Sequence, residues 1–399
     1  MSEVKLNELL GKLDVSTKNL ASECKDVSDW LTDHPELPGE EKASSEYVMN
    51  FLREKGYYVE PTYYDVPYSF RAVKKSEMNV DKPRVAILCE YDGLPDIGHA
   101  CGHSLSCGIS LLTALAISEA FQEFPFKVEL VGTPDEELRG GKVMMVDRGG
   151  FKEYEFAIMA HMASKNIMNV NPLACTDMLV TFHGKSAHAS EAPWEGVNAL
   201  NATQLMMHAF DMLRQHLKPE CQIHGIITNG GSVTSIVPET SSAYFNPRAK
   251  NIKELNVLWD KLSKCAEGAA IATGCTCEIE SLHNTFLDVY NSEESLSVSR
   301  DVFESLGLPY TVQERPYAST DIGNVDSVIP VFHPWIAVGD GSADLHYPEF
   351  AEMVRKEEAI DSLINGANVI GGIISLLAFD PNRLNDLKNK HKQYRDSLK

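Results

Sequence analysis

The chain reads as an α/β protein, a mostly parallel sheet with helices on both faces, into which a smaller α+β unit is inserted. Three observations predict this. Short apolar runs rich in β-branched or aromatic residues (Val85 to Cys89, Val128 to Val131, Phe156 to Ala160) alternate with helical stretches at Leu105 to Phe121 and Lys142 to Asp147. Near Ala174 the texture changes: strands at Leu179 to His183, Gln222 to Thr228 and Thr240 to Phe245 surround a helix at Val197 to Leu217 that carries Leu205, Ala209, Leu213 and Leu217 on one face. Beyond residue 290 the run Val328 to Phe332 and a helix at Ala351 to Leu377 restore the first texture. The expected division is therefore 1–173, 174–290 and 291–399, with the outer two segments forming one domain.

The remaining elements follow from spacing and composition. Leu6, Leu9, Leu10 and Leu13 recur at helical intervals, and Tyr47, Val48, Phe51 and Leu52 repeat the pattern after Pro38-Gly39, so two amphipathic helices are expected over residues 6 to 57. With 399 residues, 43% of them hydrophobic, two domains are the natural expectation. The net charge of −21 disfavours nucleic acid and anionic membrane surfaces. Nine cysteines, an odd number widely spread, read as reduced thiols. No secretory pattern opens the chain, which points to the cytoplasm. The apolar stretches Leu105 to Ala120 and Val369 to Phe379 are too short or too interrupted for a span of about 20 apolar residues, so no membrane segment is expected. The tail Pro381 to Lys399, rich in Lys and Arg, reads as a solvated helix.

Chemistry-bearing residues gather where the strands end. The first strand runs into Cys101-Gly-His103, the second into Glu136-Glu137, and the third into His161. In a parallel sheet these ends lie side by side, where ligands bind. Thiolate, imidazole and carboxylate meeting in one cleft suit zinc or a similar divalent ion. Adjacent Glu136 and Glu137 repel when both are ionised, but a dication relieves the one that binds it and leaves the other to handle a proton.

Taken together, Asp92-Gly-Leu-Pro, Gly98-His-Ala-Cys-Gly-His103, Gly132-Thr-Pro to Glu137, Ala160-His161, Gly184-Lys-Ser-Ala-His188 and Ser319-Thr-Asp-Ile-Gly-Asn324 resemble the aminoacylase and glutamate-carboxypeptidase family of metallopeptidases. Within it they resemble the amidohydrolase branch of hippurate, aminobenzoyl-glutamate and auxin-conjugate hydrolases and β-alanyl-lysine-type dipeptidases. The match runs from about residue 40 to 378. The resemblance implies a catalytic domain with an inserted lid and dimerisation domain, a homodimer, and two divalent ions per chain, zinc or manganese, with cobalt or nickel tolerated. It implies Cys101, His103, Glu137, His161 and His346 as ligands, Glu136 as general base, and Asp92 as the carboxylate that orients a ligand. His188 would stabilise the oxyanion, reaching the partner subunit's site; read on its own, it is a surface histidine beside a turn. Arg248 and Asn324 would bind substrate, Arg248 by its guanidinium fork. The chain departs from the branch at Ser104, where Asp or Asn is common, and at Ser235, where many relatives carry Asn.

The resemblance implies a hydrolase for the amide bond of N-acyl amino acids, aminobenzoyl conjugates or dipeptides. Two alternatives compete. Cys101 could be a nucleophile activated by His103 or His99, or the scaffold could bind metal or carboxylate without turnover.

Overall fold

The computed structural model describes residues 3–313 and 315–398. Its larger sheet has six strands in the order Tyr57–Pro61, Phe70–Lys74, Lys127–Gly132, Arg84–Cys89, Tyr154–Ile158 and Val331–Phe332. Arg84–Cys89 lies in the middle, parallel to both neighbours, and Val331–Phe332 extends the parallel part. The two strands at the opposite edge are antiparallel.

The central strand is apolar at nearly every position because both of its faces are covered. Val85, Ile87 and Cys89 point into one core with the helices Glu3–Asp33, His103–Ala120 and Ala359–Phe379. Ala86 and Leu88, the alternate positions, point into another with Met145, Phe151, Ile322 and Val325. Ala359–Phe379 is long and apolar enough to cross a bilayer by composition, yet 83% of its most apolar window is buried in the protein. It packs against His103–Ala120 so closely that a Cβ on Gly366 would sit 2.5 Å from Ile109 Cδ1.

The inserted unit has an antiparallel sheet ordered Thr276–Glu280, Met178–His183, Thr240–Ala249 and Ala174–Cys175, with Gln222–Asn229 also paired to Thr240–Ala249. Met178, Val180 and Phe182 alternate inward against Phe210, Leu258 and Leu262 from the helices Ala199–Leu213 and Ile252–Thr273, a core of its own. Asn198 and Asn251 cap these helices, their side chains accepting from Asn201 N and Glu254 N.

The structure corrects three expectations. The helix Ala199–Leu213 turns Ala202, Met206 and Phe210 inward, while Leu205 is 39% exposed. The single helix expected over Ala351 to Leu377 is two, Pro348–Arg355 and Ala359–Phe379, because Lys356 is extended (ψ 153°) within the charged run from Arg355 to Glu358. The C-terminal helix Pro381–Leu398 is docked rather than merely solvated. Leu384, Leu387 and His391 are buried, Tyr394 stacks on Tyr290 with centroids 3.9 Å apart, and Arg395 pairs with Asp288 and Asp326. Asp288 also accepts from the backbone N–H of Ile252, so this helix grips the segment by which the chain returns from the inserted unit.

Candidate metal centre and active site

The site is assembled by the segments that follow three neighbouring parallel strands. After Cys89, Glu90 and Asp92 lie two residues apart and both are buried. Asp92 accepts from two elements at once: one oxygen is 2.8 Å from His103 Nδ1, and the other takes the backbone N–H of Glu137 at 3.0 Å. One carboxylate thus orients the imidazole and pins the loop of the second cluster. Gly102, at φ +80°, lets the chain turn into the helix His103–Ala120; a Cβ there would lie 2.6 Å from the Met162 side chain.

With Nδ1 held by Asp92, His103 Nε2 faces the cleft. Cys101 Sγ, His103 Nε2 and a Glu137 oxygen lie within 4.8 Å of one another, and so do donors of Glu90, His103 and His161. His161 Nδ1 is 2.8 Å from Met162 O, which leaves its Nε2 free in the same way. His103 Nε2 and Glu90 Oε2 are buried 3.4 Å apart, and neither has a hydrogen-bond partner among the described residues. Orphaned buried donors of this chemistry fit a divalent cation.

The electrostatics agree. Burial alone would depress the His103 imidazolium, but Cys101, Asp92 and Glu90 push it well above the usual histidine range. A field that holds a proton on that ring also favours a dication. Burial and then His103 lower His161 to about 4, which keeps its ring neutral near pH 7. Burial, reinforced by Glu137, Glu90 and Asp321, raises Glu136 well above the carboxylate range, the direction a general base working near neutral pH requires. Burial also pushes the Cys101 thiol up to about 12. That disfavours the nucleophilic reading of Cys101, since a reactive cysteine needs a depressed value.

The other expected residues stand further out. His346 is exposed and left-handed (φ +68°), anchored by its backbone N–H to Ala100 O at 2.9 Å; it bears electrostatically on Glu137 and His161 but lies outside the compact donor groups. His188 is exposed, and its Nδ1 accepts from the backbone N–H groups of Ser190 and Glu191. Arg248 reaches from the inserted sheet toward the segment that leads to Asp321, with Nε 2.8 Å from Asn246 Oδ1 and one terminal nitrogen 3.3 Å from Ser319 Oγ. The Asn324 amide is spent on backbone, accepting from Leu287 N and donating to Thr285 O. Ser104 is buried, its hydroxyl accepting from Thr32 at 2.8 Å.

Sequence reasoning did not single out Glu90, Lys142 or Asp321. Only the first had a visible signal: extended backbone places residues i and i+2 on one side, so an acid two residues before Asp92 shares its direction.

Residues 176–273 match the peptidase dimerisation domain of the M20 family. The chain is 34% identical over 373 residues to a mouse Xaa-Arg dipeptidase, covering 90% of this chain and 86% of that one. It is 26% identical to a p-aminobenzoyl-glutamate hydrolase polypeptide of Escherichia coli K12, covering 93% and 92%. A dinuclear metal-binding M20 peptidase of Bacillus subtilis superposes with a TM-score of 0.72 over 91% of this chain and 99% of that one, at 16% identity. An aminobenzoyl-glutamate utilization protein of Klebsiella pneumoniae gives 0.65 over 88% and 98%, also at 16% identity. With the strand-end donors and the inserted domain in place, this chain belongs to the amidohydrolase branch of the M20 metallopeptidases, as a metal-dependent enzyme that hydrolyses peptide or linear amide bonds.

Proposed function

We propose that this enzyme is a dipeptidase or N-acyl amino acid hydrolase with a binuclear centre held by Cys101, His103, Glu137, His161 and His346. The observation that carries the reading is the buried meeting of Cys101, His103 and Glu137 beside Glu136. Divalent ions, when bound, polarise the scissile carbonyl and acidify water. Glu136 takes the proton from the attacking water and returns it to the leaving amine. Asp92 keeps His103 in the tautomer that presents Nε2. Arg248 receives the substrate carboxylate, and His188 donates to the oxyanion from a partner subunit.

Dipeptides ending in arginine lead the substrate classes, since the mouse relative is an Xaa-Arg dipeptidase; aminobenzoyl-glutamate conjugates come next. We place the homodimer interface on the inserted unit. There, among the described residues, Gln222–Asn229 pairs on one side only, and Met212 and Ile226 are each 64% exposed. All nine cysteines are free, which accords with the reducing cytoplasm.

The test is metal content per chain after loading with zinc or manganese, paired with turnover of Xaa-Arg and Xaa-Lys dipeptides and N-acyl amino acids. About two ions per chain and cleavage of one class are expected. Failure to bind metal, or metal without hydrolysis across the panel, would overturn the reading.

A further inference from the structure

Behind the donors lies a buried charge cluster that the reading above does not use. Lys142 is fully buried at the start of the helix Gly141–Asp147. Its Nζ is 2.5 Å from Glu90 Oε1 and 2.6 Å from Asp321 Oδ1, and its backbone N–H donates to Asp321 Oδ2 at 2.9 Å. Oxygens of Glu90, Glu136 and Asp321 lie within 4.8 Å of one another. A single ammonium thus faces three buried carboxylates. His103 adds positive charge only on the Glu90 side, 3.4 Å away, and buried carboxylates in this number suit a further cation.

The division of Glu90 shows where. Its Oε1 is occupied by Lys142, whereas Oε2, on a residue 1% exposed, has no hydrogen-bond partner among the described residues and lies 3.4 Å from the similarly unpartnered Nε2 of His103. Lys142 thus leaves one Glu90 oxygen on the side of the His103 ring. Leaving a buried acceptor unsatisfied costs about 1–3 kcal/mol, and here it points to the space shared by His103 and His161.

We infer that Glu90 is a metal ligand in addition to the five proposed above, and that Lys142, braced by Asp321, is the positioning residue that turns its free oxygen to the metal. This rests on the binuclear reading. The carboxylate joins the donor group of His103 and His161, while Cys101 and Glu137 belong to the other group. Lys142 also keeps Asp321 and Glu90 from competing for the same cation by neutralising the side of each that faces away from the cleft.

The test uses full-length protein stripped of metal and titrated with cobalt(II), read by visible absorption and by competition with a chelator. Wild type should show a thiolate-to-cobalt charge-transfer band from Cys101 together with d–d bands. Glu90→Gln, which preserves shape and can still accept from Lys142, should keep the charge-transfer band, change the d–d envelope, and weaken one of the two ions by at least about 10–100-fold, the range seen for groups that support metal ligands. Lys142→Met should move the d–d envelope in the same direction with Cys101 ligation intact, which a general loss of packing would not do. Where either variant fails to fold, Glu90→Asp keeps the charge and shortens the reach, and it should alter the same bands. Two cobalt ions bound to Glu90→Gln with wild-type affinity and spectrum would overturn the inference and leave the binuclear reading standing, as would an unchanged spectrum in Glu90→Asp. No cobalt bound to wild type would overturn both.

Discussion

The floor of the site and the inserted lid present their polar groups in opposite ways. On the floor, Glu90, Asp92, Cys101 and His103 are each 1% exposed or less, and His103 is held by a carboxylate that also grips the next loop. On the lid, His188 is exposed and steadied by Ser190 and Glu191, two and three residues away, and Arg248 is half-buried between Asn246 and Ser319. The floor is preorganised by one chain folding on itself. The inserted unit has a hydrophobic core of its own, and the roles proposed for His188 and Arg248 would set their counterparts in a second subunit and in substrate.

The contrast breaks most sharply at the paired glutamates. Glu136→Ala should lower turnover by about 10²–10⁴-fold with metal content intact, whereas Glu137→Ala should lose metal; equal metal loss in both variants would abolish the division of roles. Next in size is His188→Ala, with an expected fall of about 10²–10³-fold in kcat at unchanged metal content. Mixing it with Glu136→Ala should restore activity in heterodimers, because the intact floor of one subunit meets the intact His188 of the other. If the mixture stays inactive, His188 works within its own chain or not at all.

Asp92→Asn should weaken metal binding by about 10–100-fold, measured by chelator competition, because it loosens His103 and the Glu137 loop together. Arg248→Ala should raise KM by about 10–100-fold, the range lost with a charged hydrogen bond, and change kcat less; a fall confined to kcat would place Arg248 in the chemistry rather than in binding. The smallest effect on catalysis is expected at the C-terminal helix that grips the segment between lid and floor. Burial would raise the Asp326 carboxyl, but Arg395 and His391 hold it below the usual aspartate range. A depressed folded value stabilises above the unfolded value of about 4, and that contribution is lost as pH falls through the folded one. Arg395→Met should therefore lower the melting temperature at pH 7, and its gap to wild type should narrow below about pH 4.

Much of this was legible in the sequence because the strands are short, doubly buried and therefore continuously apolar, and each hands over directly to a chemical cluster. Cys101, His103, Glu136, Glu137 and His161 could be named before any contact was known. Lys142 could not. A lysine following Gly140-Gly141 ordinarily meets water, and nothing local marks it as fully buried, since its partners are 52 and 179 positions away. The helix break at Lys356 was hidden by hydrophobic periodicity on either side of it, and the docking of the basic tail depended on Asp288 and Asp326, which its own composition does not contain.

The sequence by itself determined the donor chemistry, the alternation of strand and helix, and the ends of the sheet at which the donors emerge, because these depend on residue type and on periods of two and 3.6. Tertiary structure decided which oxygen of Glu90 faces His103, which nitrogen of each histidine is free, and that His346 and His188 stand outside the compact cluster. Apart from the His161 ring, which is held by the carbonyl of the next residue, those choices depend on contacts between separate segments and on which side chains packing excludes from water, and neither is written in local order.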